Sequence, residues 1–410
     1  MKSEIGGLLE RRGVDVLWVS GASSECPDTY YLTGGVSLTA AWIILTPERG
    51  PLLVHGPMER EAAAAGGLRT LDFDRLGAGE LSRTHNDPLT IKAEMFARLA
   101  ELENLRGRLA VHGTSDPGEA HFLIQEIARR VPSLAVTRDL PPVLESARAT
   151  KDEGEIGRMR AVAEDTLGAI AGALELVRRG REKDGIVVGR DEQPVTVGRV
   201  RRALREGFAA RNLIESHDTI LAFGAQAGIP HASSPDEEAL PVGQTVVLDV
   251  FPRRGGGGYF FDITRSFCIG RASEEALELY NQVLEAQQEA IDSAAEGIDG
   301  NDLQAAVCSR FERLGHPTQR TQPGTTAGYV HSLGHGIGLE IHEHPYLKLQ
   351  DAPDERNRLK KGSVFTIEPG LYYPDRGLGV RIEDVVYVND SGRATVLAPF
   401  DKFPVLPLEG

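Results

Sequence analysis

Cysteine is scarce: Cys26, Cys268 and Cys308 are the only three in 410 residues. Thiols so few and so scattered cannot build a disulfide framework or a thiolate zinc cluster, and a reducing compartment is expected. Long apolar runs are missing as well. No stretch approaches the roughly eighteen apolar residues that a membrane-spanning helix needs. The start, MKSEIGGLLERRGVDVLW, carries Lys2, Glu4, Glu10, Arg11, Arg12 and Asp15, which leaves no apolar core for a signal peptide. A cytoplasmic home without a membrane partner is the expectation. Basic charge is outweighed too: 45 Lys and Arg against 60 Asp and Glu give a formal net charge of −15. That sign cannot displace counterions from phosphates, so a general nucleic-acid partner is excluded.

The chain is nonetheless rich enough to fold. Hydrophobic residues at 41% and charged residues at 26% exclude a disordered composition, and the length exceeds what one core usually serves, so two domains are expected. Through the first part, strand-like runs VDVLWVS, AAWIILT, GPLLVHG and GRLAVHG alternate with helical MEREAAAAGG and GEAHFLIQEIARRV, the pattern of an α/β domain over residues 1–145. The Pro pair and charges of DLPPVLESARATKDEG mark the boundary, and residues 146–410 form the second domain.

That domain opens on a predicted long helix. Ile156, Met159, Ala163, Leu167, Ile170, Leu174 and Val177 recur every three or four residues and place one apolar stripe on one face. Residues 179–194 read as an exposed connection to a second helix near 195–210, and a third is expected at 274–296, capped by Ser273. The remainder is mostly strand-like, so the domain is expected to be α+β.

Two of its strands repeat one another. LPVGQTVVLD (240–249) and LKKGSVFTIE (359–368) share Leu at the first position, Gly at the fourth, an apolar residue at the seventh and an acid at the tenth. Downstream, GYFFD (258–262) and GVRIE (379–383) each set glycine four residues before an acid. The expectation is a pseudo-twofold domain that turns four carboxylates, Asp249, Asp262, Glu368 and Glu383, toward a shared centre. A single acid at a strand end reads equally well as a turn former. Four at matched places, buried in apolar strands, call for a cation.

A nitrogen donor is at hand. HSLGHGIGLEIHEHP (331–345) gathers four of the eleven histidines, and neutral imidazole is a common metal ligand; a polar glycine loop is the plain alternative. Carboxylates with an imidazole make a hard donor set suited to a pair of manganese, cobalt or zinc ions. No HExxH helix motif is present.

The chain resembles the pita-bread metallopeptidases, the family of methionine aminopeptidase, aminopeptidase P and prolidase. The resemblance rests on IPHASS (229–234), VVLDVFP (246–252), GYFFDITRSF (258–267), HSLGHGIGLEIHEHP, FTIEPGLYYP (365–374) and VRIEDVV (380–386), in the family's order. YYLTGG (30–35) and ATKDEGEI (149–156) are similar to the N-terminal domain and linker of its proline-specific branch. It implies a creatinase-like N-terminal α/β domain before an α+β pita-bread catalytic domain.

The resemblance further implies two divalent ions per chain, manganese foremost with zinc or cobalt as alternatives. Asp249 would bind one, Asp262 and Glu383 bridge both, and His335 and Glu368 complete the other. A hydroxide bridging the ions would attack the scissile carbonyl, Glu368 would handle the water proton, and His231 and His342 would serve the tetrahedral intermediate or the leaving nitrogen. His331 and Arg381 would line the substrate site of the proline-specific branch. Each has a plainer alternative, a loop histidine bonded to backbone and a structural ion pair. Tyr372 is a pocket or a core aromatic, and His344 is expected at the surface.

The implied activity is that of an Xaa-Pro dipeptidase working as a homodimer on Xaa-Pro peptides, with aminopeptidase P as the runner-up. Metal-free creatinase-like hydrolases and peptide-binding modules of the same fold lack the acidic set. One departure stands out: Asp249 and Asp262 are thirteen residues apart where the family usually has eleven, because FPRRGGGG lengthens the turn.

Overall fold

A computed structural model of the protein describes residues 4–352 and 354–410; Lys2, counted above in the charged start, lies outside them. Two compact units emerge, one of residues 1–148 with 255–258 and one of residues 149–254 with 259–410. The four-glycine turn thus belongs to the first unit, a long way in sequence from the rest of it. Among the described residues no helix is long and apolar enough to cross a membrane.

In the first unit β1 (Val16–Ser20), β2 (Ala41–Leu45), β3 (Leu52–His55), β4 (Arg69–Asp72), β5 (Gly107–Gly113) and β6 (Leu134–Val136) form one sheet in the order β4-β3-β2-β1-β5-β6. β1 pairs antiparallel with β2 and parallel with β5. β1, β2 and β3 are almost wholly buried, which is why they read as continuous apolar runs rather than as alternations. Trp18 meets Trp42 edge-on at 5.3 Å between ring centroids, and Phe96 packs 4.6 Å from Trp18. The helix carrying Phe96, α1 (Pro88–Leu102), starts where the Asp87 carboxylate accepts from the Leu89 and Thr90 amides.

The second unit begins with α2 (Glu153–Arg178), held at its start by a capping box between Asp152 and Glu155. Its expected stripe is buried except for Leu167, which is half-buried. The segment read as an exposed connection contains a β-hairpin, β7 (Arg181–Lys183) with β8 (Ile186–Val188). Asp184 and Gly185 turn it at φ 52° and 81°, the left-handed pair of a two-residue hairpin loop. α3 (Val197–Ala209) then packs on α2 where a Cβ on Gly207 would sit 2.9 Å from Ala169, so glycine sets the closeness of the two helices.

Two sheets carry the acids. β9 (Ile220–Phe223), β10 (Thr245–Val250) and β11 (Ile263–Ile269) form the first with a short C-terminal strand, 405–406. After α4 (Glu274–Ser293) and α5 (Gly300–Arg313) come β12 (Gly334–Gly336), β13 (Glu343–Leu347) and β14 (Val364–Ile367), then the hairpin β15 (Gly370–Tyr373) and β16 (Leu378–Arg381). β17 (Asp384–Val388) and β18 (Ala394–Val396) complete the second sheet in the order β13-β12-β14-β17-β18. Leu279, Val283 and Ala286 of α4 share a core with Phe365, Ile367 and Val386.

β10 with β11 and β14 with β17 are both antiparallel pairs in which one acid closes the first strand and another precedes the second. Their registers differ. Asp249 lies opposite Thr264, two residues beyond Asp262, whereas continuing the ladder from Ile367 opposite Asp384 would set Glu368 opposite Glu383. An even offset returns a side chain to the same face of a sheet, so the lengthened turn shifts Asp262 along the strand without reversing it. Gly256 and Gly257 make that turn at φ 81° and 93°, where a side chain would be strained.

Candidate metal centre

Each acid is brought to the centre by the end of a strand. Asp249 sits near the end of β10, Glu368 follows β14, and Asp262 and Glu383 stand immediately before β11 and β17. Asp249, Asp262 and Glu383 are buried, Glu368 half-buried. His335 lies in β12, which pairs with β14 through Gly336 opposite Phe365. Asp262, His335 and Glu383 each offer a ligand atom, all within 4.8 Å of one another.

The orientation of His335 follows from its neighbours. Nδ1 is 3.1 Å from the Gly336 carbonyl, which can only accept, so Nδ1 carries the proton. Nε2 then presents its lone pair to Glu368 Oε1 at 3.5 Å and Asp262 Oδ2 at 3.8 Å, too far for good hydrogen bonds. Burial, followed by His342, pulls the imidazole down to about 3 and keeps it neutral. A lone pair is therefore aimed at carboxylates, an arrangement that a cation between them would reconcile.

The acids carry the same imbalance. Burial and the mutual repulsion of Glu383, Asp249 and Glu368 hold Asp262 well above the carboxylate range, and burial with Glu383 does the same to Glu368. Glu383 is pushed up to about 8 by burial and Asp249. Asp249 Oδ1 and Asp262 Oδ1 are buried with no hydrogen-bond partner. Orphaned oxygens, crowded carboxylates and one neutral imidazole are what hard divalent ions require, so the donor set fits the expected metals.

Several residues fix this geometry that the sequence reading did not single out. Thr264 Oγ1 donates to Glu383 Oε2 at 2.8 Å. From α4, Gln287 Nε2 donates to the carbonyls of Ile367 and Ile382, 3.1 Å each, and so clamps the residues just before Glu368 and Glu383. Arg265 donates to the Glu383 carbonyl at 2.6 Å and pairs with Asp384 at 2.7 Å.

Beside the acids runs a polar chain. Arg381, which is 3% exposed, reaches Asp249 Oδ2 at 2.6 Å and Tyr372 Oη at 2.8 Å. Tyr372 Oη is in turn 2.9 Å from His331 Nε2, and His331 Nδ1 is 2.7 Å from the Ser332 carbonyl. The carbonyl again assigns the proton to Nδ1, so Tyr372 accepts from Arg381 and donates to His331. The plainer contacts weighed for His331 and Arg381, a backbone bond and an ion pair, are thus both present, and they occur within the chain that joins them to the centre. Tyr372 is fully buried, yet its hydroxyl is a junction of that chain rather than core filler. Gln304 of α5 donates to the His331 carbonyl at 3.4 Å.

His231 and His342 are exposed. The His342 ring stands edge-on to His335 at 4.3 Å between centroids. Burial, then His231 and His217, lower its affinity for a proton, so both of those imidazoles lie within electrostatic reach of His342. His217 escaped the sequence reading because it is a lone histidine in SHD, just before a strand. His344 corrects an expectation: it is buried, with Nδ1 2.8 Å from Asn357 Oδ1. The reason is that β13 enters the second sheet and takes His344 with it.

Residues 158–390 match the model of metallopeptidase family M24. The chain is 26% identical over 388 residues to the Xaa-Pro dipeptidase of Pyrococcus horikoshii, spanning 94% of this chain and 93% of that one. In fold it is similar to the Xaa-Pro dipeptidase from Bacillus anthracis, with a TM-score of 0.75 at 23% identity over 98% of both chains. The X-Pro aminopeptidase from Thermotoga maritima gives a TM-score of 0.75 at 21% identity, covering 97% of this chain and 99% of that one.

Proposed function

The chain belongs to metallopeptidase family M24, and on that premise we propose that it is an Xaa-Pro dipeptidase, hydrolysing the bond before proline. The observation that carries the reading is the polar chain from Asp249 through Arg381 and Tyr372 to His331, built against the acidic centre. The dipeptidase name of a relative matched along nearly the whole chain supports it. Asp249, Asp262, His335, Glu368 and Glu383 would hold two divalent ions, manganese foremost. When bound, such ions polarise a carbonyl and make water acidic enough to serve as nucleophile near neutral pH.

The protein's own groups do the rest. Glu368, the least buried of the four acids, would take and return the proton of water. His231 and His342 stand at the open side, where an imidazole can donate to the carbonyl oxygen or to the leaving nitrogen. His331 and Arg381 orient the substrate, with Tyr372 holding both. We read the two acid-bearing strand pairs as pseudo-symmetric halves, on the strength of the spacing shared by LPVGQTVVLD with LKKGSVFTIE and by GYFFD with GVRIE, and the protein as a cytoplasmic homodimer with its domain boundary near residue 145.

The test is a steady-state comparison, in added manganese, of Xaa-Pro dipeptides with longer Xaa-Pro peptides, alongside metal analysis. The reading expects about two ions per chain, activity abolished by chelator, and preference for dipeptides. Preference for longer peptides would make the protein an aminopeptidase P. Indifference to chelator would end the metallopeptidase reading.

A further inference from the structure

We infer that His217 selects the residue before proline, favouring an acidic side chain there; this rests on the dipeptidase reading and adds a substrate class to it. The position comes from strand register. β9 pairs with β10 so that Ile220 lies opposite Asp249. Three residues before Ile220, His217 is therefore carried past the end of that ladder, alongside the chain that leaves Asp249. Its ring lies 6.3 Å from that of Phe251, two residues beyond Asp249. His217 is exposed, as are His231 and His342, and it lies within electrostatic reach of His342.

What such a site would hold follows from what surrounds it. The two acids flanking His217 in sequence are already engaged: Arg205 pairs with Glu215 at 3.2 Å and with Asp218 at 3.1 Å, and Glu215 also accepts from Thr219. Neither is left to neutralise the imidazole. The His342 ring stands against His335 and His231 acts on both His331 and His342, leaving His217 as the outer member of the three. An imidazole offers an N–H whether neutral or protonated. A side-chain carboxylate on the residue before proline is the group that accepts it, since both acids flanking His217 are held by Arg205.

The experiment compares wild type with His217→Ala and His217→Glu on Glu-Pro, Leu-Pro and Lys-Pro in the manganese-loaded enzyme. Thermal melting confirms that these surface variants fold. His217→Ala should lower kcat/KM for Glu-Pro about tenfold or more, the scale of one charge-assisted hydrogen bond, and leave Leu-Pro within about twofold. His217→Glu should turn the preference toward Lys-Pro. Calorimetric titration of Glu-Pro and Leu-Pro into chelator-treated protein, where no turnover occurs, should show the same loss confined to Glu-Pro. An unchanged ratio of Glu-Pro to Leu-Pro in His217→Ala would overturn the inference while leaving the dipeptidase reading intact. An equal loss on all three substrates would also overturn it, assigning His217 to the shared amino group instead. A wild type that cleaves none of the three would sink the dipeptidase reading, and the inference with it.

Discussion

Arg381 Nη2 lies 2.6 Å from Asp249 Oδ2 inside the acidic centre, while Asp249 Oδ1 has no partner. The carboxylate is divided: one oxygen is satisfied by the protein and the other is left without a hydrogen bond. Arg381 therefore does more than line a pocket, because it is the only guanidinium among the described residues that is paired with one of the four acids. Arg381→Met should destabilise the chelator-treated protein by about 3–5 kcal/mol, the cost of leaving a buried charge unpaired, and the manganese-loaded protein by less. Denaturant titration with and without chelator checks this. Equal losses in both states would mean that Arg381 and the ions do not share the work of neutralising Asp249.

Asp262 should behave in the opposite sense. Burial and three neighbouring acids raise its affinity for a proton, so in the absence of ions its charge works against the fold. Asp262→Asn should abolish activity by more than about a hundredfold, beyond what groups that only orient ligands cost. The same change should raise the melting temperature of the chelator-treated protein at pH 8. A variant that loses activity and melts lower without metal would place Asp262 in a structural role.

Metal uptake should release protons. Glu383 is held at about 8, and Asp262 and Glu368 are raised as well, so at pH 7 the metal-free centre carries protons that ligation must expel. Calorimetric titration of manganese in two buffers of different ionisation enthalpy measures the number directly. A count near zero at pH 7, rising nowhere between pH 6 and 8, would show that these acids are already ionised.

Much of this arrangement is legible in the sequence. The acids announced themselves because an ionisable residue at a fixed place in two apolar strands is improbable unless something neutralises it. The strands of the first unit were readable because burial on both faces leaves continuous runs such as VDVLWVS and AAWIILT. What stayed hidden has physical reasons too. The hairpin at 181–188 is short and charged, so it offered no apolar alternation, although Asp184-Gly185 is a two-residue turn signal that could have found it. Gln287 is a polar residue on a helix face, and only the packing of α4 against Ile367 and Ile382 shows that it clamps the centre. His344 was misplaced because strand membership, not the composition of the loop, decides its burial.

The hydroxyl shared by Arg381 and His331 gives a sharper test of the substrate side. Tyr372→Phe removes one acceptor and one donor without emptying the space. Manganese content should be unchanged, since Tyr372 touches none of the expected ligands directly. Turnover of Xaa-Pro substrates should fall by roughly tenfold, the scale of one or two buried hydrogen bonds. Loss of bound metal in this variant would instead tie the chain to the ions through Asp249.

The last prediction concerns the first unit, where His112 holds Asp28 Oδ2 at 3.0 Å with Nδ1 and Asp139 Oδ2 at 3.2 Å with Nε2, and Arg148 pairs with Asp28 at 2.7 Å. Burial opposes the charge on His112, but the hydrogen bonds to Asp139 and Asp28 outweigh it and push the imidazole up to about 9. The folded value lies above the unfolded one near 6.5, so the stabilisation is complete below pH about 6.5 and is lost as pH rises through about 9. A rise of that size is worth on the order of 3 kcal/mol. His112→Gln should therefore cost most at pH 6 and little at pH 9.5. Because a two-unit protein need not unfold in one step, the comparison is best made by hydrogen exchange at residues 107–113 and 137–148 in the metal-loaded protein. A penalty that does not change between the two pH values would mean that His112 is not held as an imidazolium between the two carboxylates.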